Sequence, residues 1–128
     1  MNKKELWERR KIVSLLYSTP RNPNKPRQIN AVFPHKQNSD PHEIAKLIIG
    51  MELMRQGKAF ISEAAEKLPP HSRRDIVCLD DGMRYEPETE QARADRHKGD
   101  KSVKVIMVDY PPEVTEWINS IKEQVQKL

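Results

Sequence analysis

The chain has 128 residues, a net charge of +4, 33% charged residues and only 5% aromatics. It is long enough for one domain, but with a mean hydropathy of −0.85 the core must be modest and the surface heavily ionised. No run of about 18 apolar residues occurs, so no membrane span is expected; the basic N-terminus lacks the apolar segment of a secretory signal. Cys78 stands alone, which excludes a disulfide framework and a cysteine-based zinc site within one chain and makes the cytoplasm the default location.

The charge is uneven. Residues 1–37 carry nine Lys/Arg against two acids, and the remainder 14 against 17. A basic arm on a mildly acidic body fits a polyanionic partner, or simply a solubilising tail.

Residues 3–17 read as a helix with Leu6, the Arg10 stem, Val13, Leu16 and Tyr17 on one stripe and Trp7 beside it. Pro20, Pro23, Pro26 and Pro34 make 18–38 an extended arm or linker, expected to pack poorly. This sets residues 1–38 apart from an α/β domain over 39–128. Asp40-Pro41-His42-Glu43 looks like an N-cap, a proline at the first helical position and a capping-box acid. The helix continues through Ile44, Leu47, Ile48 and Met51 to a stop at Gly57. A strand over 58–64 and a loop through Pro69-Pro70 follow, then strands over 73–80 and 83–88. Thr89 to Lys98 reads as a short helix closed by Gly99, and 103–109 as a strand covered on both faces. Pro111-Pro112-Glu113 opens a last helix with Val114, Trp117, Ile118, Ile121 and Val125 on one face. The order implies one mixed sheet of about four strands with helices 41–56 and 113–127 packed on it.

The stretch RRDIVCLDDGMRYEPETE (73–90) carries the chemistry. Asp81-Gly82 favours a two-residue hairpin turn, and with that loop Asp80 faces Met83, Val77 faces Glu86 and Asp75 faces Glu88. Asp75, Glu86 and Glu88 then share a face, with opposed Cβ atoms roughly 4.5–5.5 Å apart. Like charges so placed repel unless neutralised, and a hard divalent cation such as Mg²⁺ or Mn²⁺ is the economical answer. The bland alternative is a solvated hairpin face. Arg73, Arg74, Arg93, Arg96 and Lys98 read either as phosphate contacts or as surface charge paired with Glu90 or Asp95. His71 and His97 read as surface histidines, and Cys78 as core packing.

This order, with its acids, resembles the core of the PD-(D/E)xK nuclease superfamily: restriction endonucleases, archaeal Holliday-junction resolvases, and many viral and plasmid nucleases. The resemblance covers roughly residues 40–110. It implies a restriction-endonuclease-like αβββαβ core. It makes Asp75 the second-strand acid and Glu86 the third-strand acid, both metal ligands. The Pro87 carbonyl becomes a further ligand, Glu43 the helix glutamate, and Glu63 the acid that often ends the first strand. Glu88 departs from the pattern: it stands where the family usually has lysine, although some restriction enzymes carry glutamate there. Pro87 is a second oddity, since it removes a strand donor.

Three function classes follow. The leading one is a Mg²⁺-dependent endonuclease acting on DNA, branched, viral or plasmid DNA included. The alternative is a non-catalytic nucleic-acid-binding protein on the same fold with a decayed site. The third is an adaptor using Trp7 and the arm. Small nucleases that cut both strands commonly pair, which admits a homodimer.

Overall fold

A computed structural model describes residues 1–127. In chain order the elements are α1 (Lys3–Ser14), β1 (Tyr17–Ser18), α2 (Asp40–Arg55), β2 (Phe60–Glu66), β3 (Arg73–Cys78), β4 (Arg84–Glu88), α3 (Gln91–Asp95), β5 (Val103–Met107) and α4 (Pro112–Gln126). The strands form one mixed sheet in the order β1-β2-β3-β4-β5. The first four pair antiparallel, and β5 lies parallel to β4. A parallel neighbour needs a crossover, and the segment carrying α3 supplies it. The α/β class expected from the sequence is what the structure shows. Among the described residues no helix is long and apolar enough to cross a membrane.

Alternation along β2 and β3 sends side chains into two clusters. Ile61, Val77 and Leu79 join Ala59, Ala64 and Tyr17, with Val13 of α1 against them. Phe60, Ile76 and Cys78 join Leu53 of α2, with Ile49 and Tyr85 alongside. Full burial of a large aliphatic or aromatic side chain stabilises by roughly 1.5–3 kcal/mol, so these few residues carry much of the fold. Cys78 is core, as its strand pattern implied.

Several expectations need correction. The arm is not an unpacked linker. Ile29 packs against the first cluster and Val32 against the second. Asn30 exchanges hydrogen bonds with Phe60, its N–H donating to the carbonyl at 2.8 Å and its side chain accepting at 3.1 Å. Ser62 Oγ accepts from Phe33 N–H and donates to the Ala31 carbonyl. Nonlocal side-chain bonds thus replace the ladder that the prolines forbid. The first helix ends at Ser14, earlier than the expected Tyr17, because Tyr17 and Ser18 pair with Glu66 and Ala65 as an edge strand.

Helix α2 is capped by Ser39, whose side chain accepts from His42 N–H, and not by Asp40. It also turns its apolar stripe outward. Leu47, Ile48, Met51 and Met54 are exposed, whereas Ala45, Lys46, Gly50 and Leu53 are buried. Gly50 makes this possible: a Cβ there would lie 2.6 Å from Phe60 Cζ. Strand β5 is a half-exposed sheet edge, not a strand covered on both faces. The short helix shrinks to Gln91–Asp95. Helix α4 keeps its amphipathic pattern, but none of its residues is buried, so it does not pack on the sheet as expected. Its ties are an ion pair from Lys122 to Asp40 and a hydrogen bond from Tyr110 Oη to the Pro41 carbonyl.

Helix propensity alone would make Gly50→Ala stabilising by about 1 kcal/mol. The buried Phe60 ring reverses the sign, since overpacking costs about 1–3 kcal/mol. Urea unfolding should show a lower midpoint with unchanged slope; a higher midpoint would mean that the ring yields freely.

Candidate active site

The β3–β4 hairpin is wider than a two-residue turn. Ile76 pairs with Tyr85 and Val77 with Arg84. The ladder closes at Cys78 N–H to Met83 O, 2.8 Å, and extending it places Asp75 opposite Glu86, not Glu88. The register is therefore shifted by two residues from the one expected. The cause lies far away in sequence. Asp80 leaves the hairpin to accept from Arg10 Nε and Nη2 at 3.0 and 2.9 Å and from Ala59 N–H at 2.8 Å. These bonds hold its carboxyl below the usual aspartate value, although burial alone would raise it. A shift of two keeps every side chain on its face, so Asp75 and Glu86 still meet. Their carboxyl groups come close enough for each to shift the other's pKa.

A second irregularity brings the acids toward α2. Glu63 has φ of 47°, a left-handed conformation uncommon outside glycine and found most often where function demands it. The β2–β3 register runs from Ser62↔Ile76 to Ala64↔Arg74 without a Glu63 pair. Ile61 and Ala64 fall in the same cluster, so alternation slips by one at this point. Glu63 then reaches Lys46 of α2, Nζ to Oε1 2.6 Å. Asp75, across from it, reaches His42 of α2, Nε2 to Oδ2 3.4 Å.

Lys46 is wholly buried. Its ammonium also donates to the Phe33 carbonyl at 2.9 Å and to Glu43 at 3.1 Å. Glu43 is no capping-box acid. Its oxygens accept from His35 N–H (2.9 Å), Asn38 Nδ2 (2.8 Å) and Lys46, and one lies 3.1 Å from His42 Nδ1. Burial would raise its pKa, but these bonds hold it below the ordinary value. The result is a continuous chain: Glu86, Asp75, His42, Glu43, Lys46, Glu63. His42 and Lys46 escaped the sequence reading. They sit four apart on the stripe that continues through Gly50 and Leu53, a stripe hidden by the more apolar one beside it.

Of this chain, His42 and Asp75 line a cleft of about 620 Å³ whose walls also include Glu88, Arg73, Arg93, Arg96 and His97. Glu88 lies 4.0 Å from His97 Nε2. Arg73 approaches Glu63 Oε2 at 3.4 Å and is otherwise half open, and Arg93 is loosely paired with Glu90. Arg74 is not free for a ligand: it bonds Glu66 at 2.8 Å and stands 3.8 Å from Glu86. Lys98 and His71 do not line this cleft. Pro87 is fully buried in β4, opposite Ile106.

Electrostatics divides the acidic pair. Burial, then a hydrogen bond that protonated Glu86 can donate to Asp75 and the charge of Asp75, push Glu86 up to about 10, with Arg74 working against them. Asp75 moves the other way: burial opposes ionisation, but bonds from His42 and Glu86 outweigh it. The His42 pKa is raised, chiefly by its bond to Asp75. One carboxyl thus keeps the proton and its neighbour keeps the charge. Among the described residues, no group of three or more His, Cys, Asp or Glu is arranged to hold a metal ion. The donor set does suit a hard cation that binds through one or two carboxylates and keeps most of its waters. Two carboxyl groups meet, and Glu86 Oε1 is buried without a hydrogen-bond partner.

The proton on Glu86 has a consequence for stability. In the unfolded chain the group ionises near 4.5, whereas in the folded protein it holds its proton to about 10. The folded state therefore binds more protons through that window, and Glu86 lowers stability as pH rises across it. Glu86→Gln stays neutral throughout. Its melting temperature should exceed that of wild type by about 3–5 °C at pH 8, roughly 1 kcal/mol, with the gap closing toward pH 5. A gap independent of pH would mean that the two carboxyls share no proton.

Comparison of the chain with protein-family models, with curated proteins and with solved structures finds no match.

Proposed function

We propose that the protein is a metal-dependent DNA endonuclease built on a restriction-endonuclease-like core. The observation that carries this is the meeting of Asp75 and Glu86 from adjacent strands below a cleft walled by Arg73, Arg93, Arg96 and two histidines. The element order supports it: helix α2, the antiparallel meander β2-β3-β4, the α3 crossover, then β5 parallel to β4, the αβββαβ order that the resemblance implies.

Asp75 and Glu86 are the residues to hold Mg²⁺ or Mn²⁺. A cation held there would supply a bound water of lowered pKa and a Lewis acid for the phosphodiester. His42 fixes the orientation of Asp75 through the bond to Oδ2. Lys46, locked between Glu43 and Glu63, fixes α2 and hence His42. Arg73, Arg93 and Arg96 bind the phosphate and stabilise charge that develops on it. Glu88, in the place of the usual lysine, is the carboxylate left in the cleft to take a proton from the attacking water. Pro87, whose carbonyl the resemblance adds as a further ligand, lies next to Glu86 in β4.

One observation favours the second reading, a nucleic-acid-binding protein with a decayed site. Among the described residues two carboxyls converge and no third joins them, since Glu88 lies by His97. Nicking of supercoiled and branched DNA with Mg²⁺, Mn²⁺ or EDTA separates the two. Asp75→Asn and Glu86→Gln should each reduce divalent-dependent nicking to background. Mn²⁺ should raise the melting temperature of wild type and much less that of the variants. Glu88→Lys should lower activity if Glu88 is a working base; a gain of activity would mark the site as decayed. A wild-type protein with no metal-induced shift and no nicking would sink the endonuclease reading.

A further inference from the structure

The basic arm is folded back onto β2, and its cations have a place. Beside the acidic cleft lies a second one of about 650 Å³, walled by Arg21, Lys25, Arg27, Phe33, His35 and Arg73. Arg73 lines both, so the two clefts adjoin at its side chain. The one acid in the second wall, Glu63, is 3% exposed and already bonded to Lys46. Four cations therefore face solvent or the groove with no free carboxylate between them.

The roles of these cations differ. Arg27 donates Nε–H to the Glu63 carbonyl at 2.7 Å and lies over the Phe33 ring, 4.5 Å from its centroid. It builds the wall. Arg21 and Lys25 are exposed, and neither is in an ion pair or a side-chain hydrogen bond among the described residues. The backbone presents them on a tight turn: Thr19 N–H donates to Lys25 O, and Thr19 Oγ1 to Asn22 O. Because Arg27 already covers one face of Phe33, the groove offers chiefly charge. Such a surface recognises phosphates and is blind to base identity.

We infer that this groove holds one polynucleotide strand by its phosphates, continuing past Arg73 the strand that enters the acidic cleft. The inference rests on the nucleic-acid reading above and adds the path and the mode of recognition: sequence-independent contact to a single strand, made by Arg21 and Lys25.

The test is fluorescence anisotropy with a labelled single-stranded oligonucleotide of mixed sequence, and a second of one repeated base, titrated across a salt series. Arg21→Ala/Lys25→Ala is compared with Lys3→Ala/Lys4→Ala, which removes the same charge from α1. The groove variant should weaken binding on the order of tenfold near 0.1 M salt and lower the log–log slope by about 0.7 per contact, so about 1.4. The loss should be equal for both oligonucleotides, with the α1 variant close to wild type. Equal losses in the two variants would reduce the effect to net charge and overturn the groove, as would unchanged binding in the groove variant. Losses confined to one oligonucleotide would overturn the phosphate-only mode. Nicking is read in parallel. A wild type that binds through the groove but cleaves nothing upholds this inference and removes the endonuclease reading. One that cleaves with an unaffected groove variant does the reverse, one that binds no oligonucleotide overturns this inference, and one that also nicks no DNA overturns both.

Discussion

The architecture depends on one buried ammonium. Lys46 Nζ joins three parts of the chain: the arm through Phe33 O, its own helix through Glu43, and the sheet through Glu63. Taking an ammonium out of water costs several kcal/mol even after relaxation. That cost is offset only if the charge is matched and every donor is used. Here three acceptors surround the three protons, and two carboxylates face the single cation. Loss of one partner would leave a buried charge uncompensated, typically a penalty of 3–5 kcal/mol. The network therefore adds less to net stability than it does to position. It sets where α2 lies, and so where His42 meets Asp75.

Strain and charge work together at this point. The left-handed Glu63 is what aims a strand carboxylate at the helix. Without that slip the residue would follow β2's alternation and face away from Lys46. A strained residue of this kind costs of order 1–3 kcal/mol and persists only where its surroundings hold it. Lys46 and the Arg27 bond to the Glu63 carbonyl hold it here.

The order of elements was legible because its signals are local. Asp81-Gly82, Gly57 and Pro111-Pro112 mark turns and helix ends by backbone constraint alone. The acidic pair was legible for a subtler reason. The expected register was off by two, yet the two-residue period of a strand preserved the shared face of Asp75 and Glu86. What escaped was set by partners distant in sequence. Asp80 left the turn for Arg10, 70 residues away. The arm is ordered by Asn30 and Ser62 bonds that no composition reveals. The inner face of α2 was missed because hydrophobic patterning counts a lysine and a glycine as outward residues, whereas Lys46 and Gly50 point in. The stripe on α4 was correctly seen, but a stripe does not say what covers it.

The inverted placement of α2 bears on how the helix responds to temperature. A helix docked by an apolar face is held by a force with a large heat-capacity signature, one that fades on cooling. On α2 much of the apolar surface, from Leu47 to Met54, remains in water both docked and undocked. Its attachment rests on Leu53 and Ile49 and, beside them, on ion pairs, whose desolvation penalty falls as temperature rises. Detaching α2 would still expose Leu53 and Ile49 together with the Phe60, Ile76 and Cys78 that they cover, so the hydrophobic part of its grip fades on cooling while the ion-paired part does not.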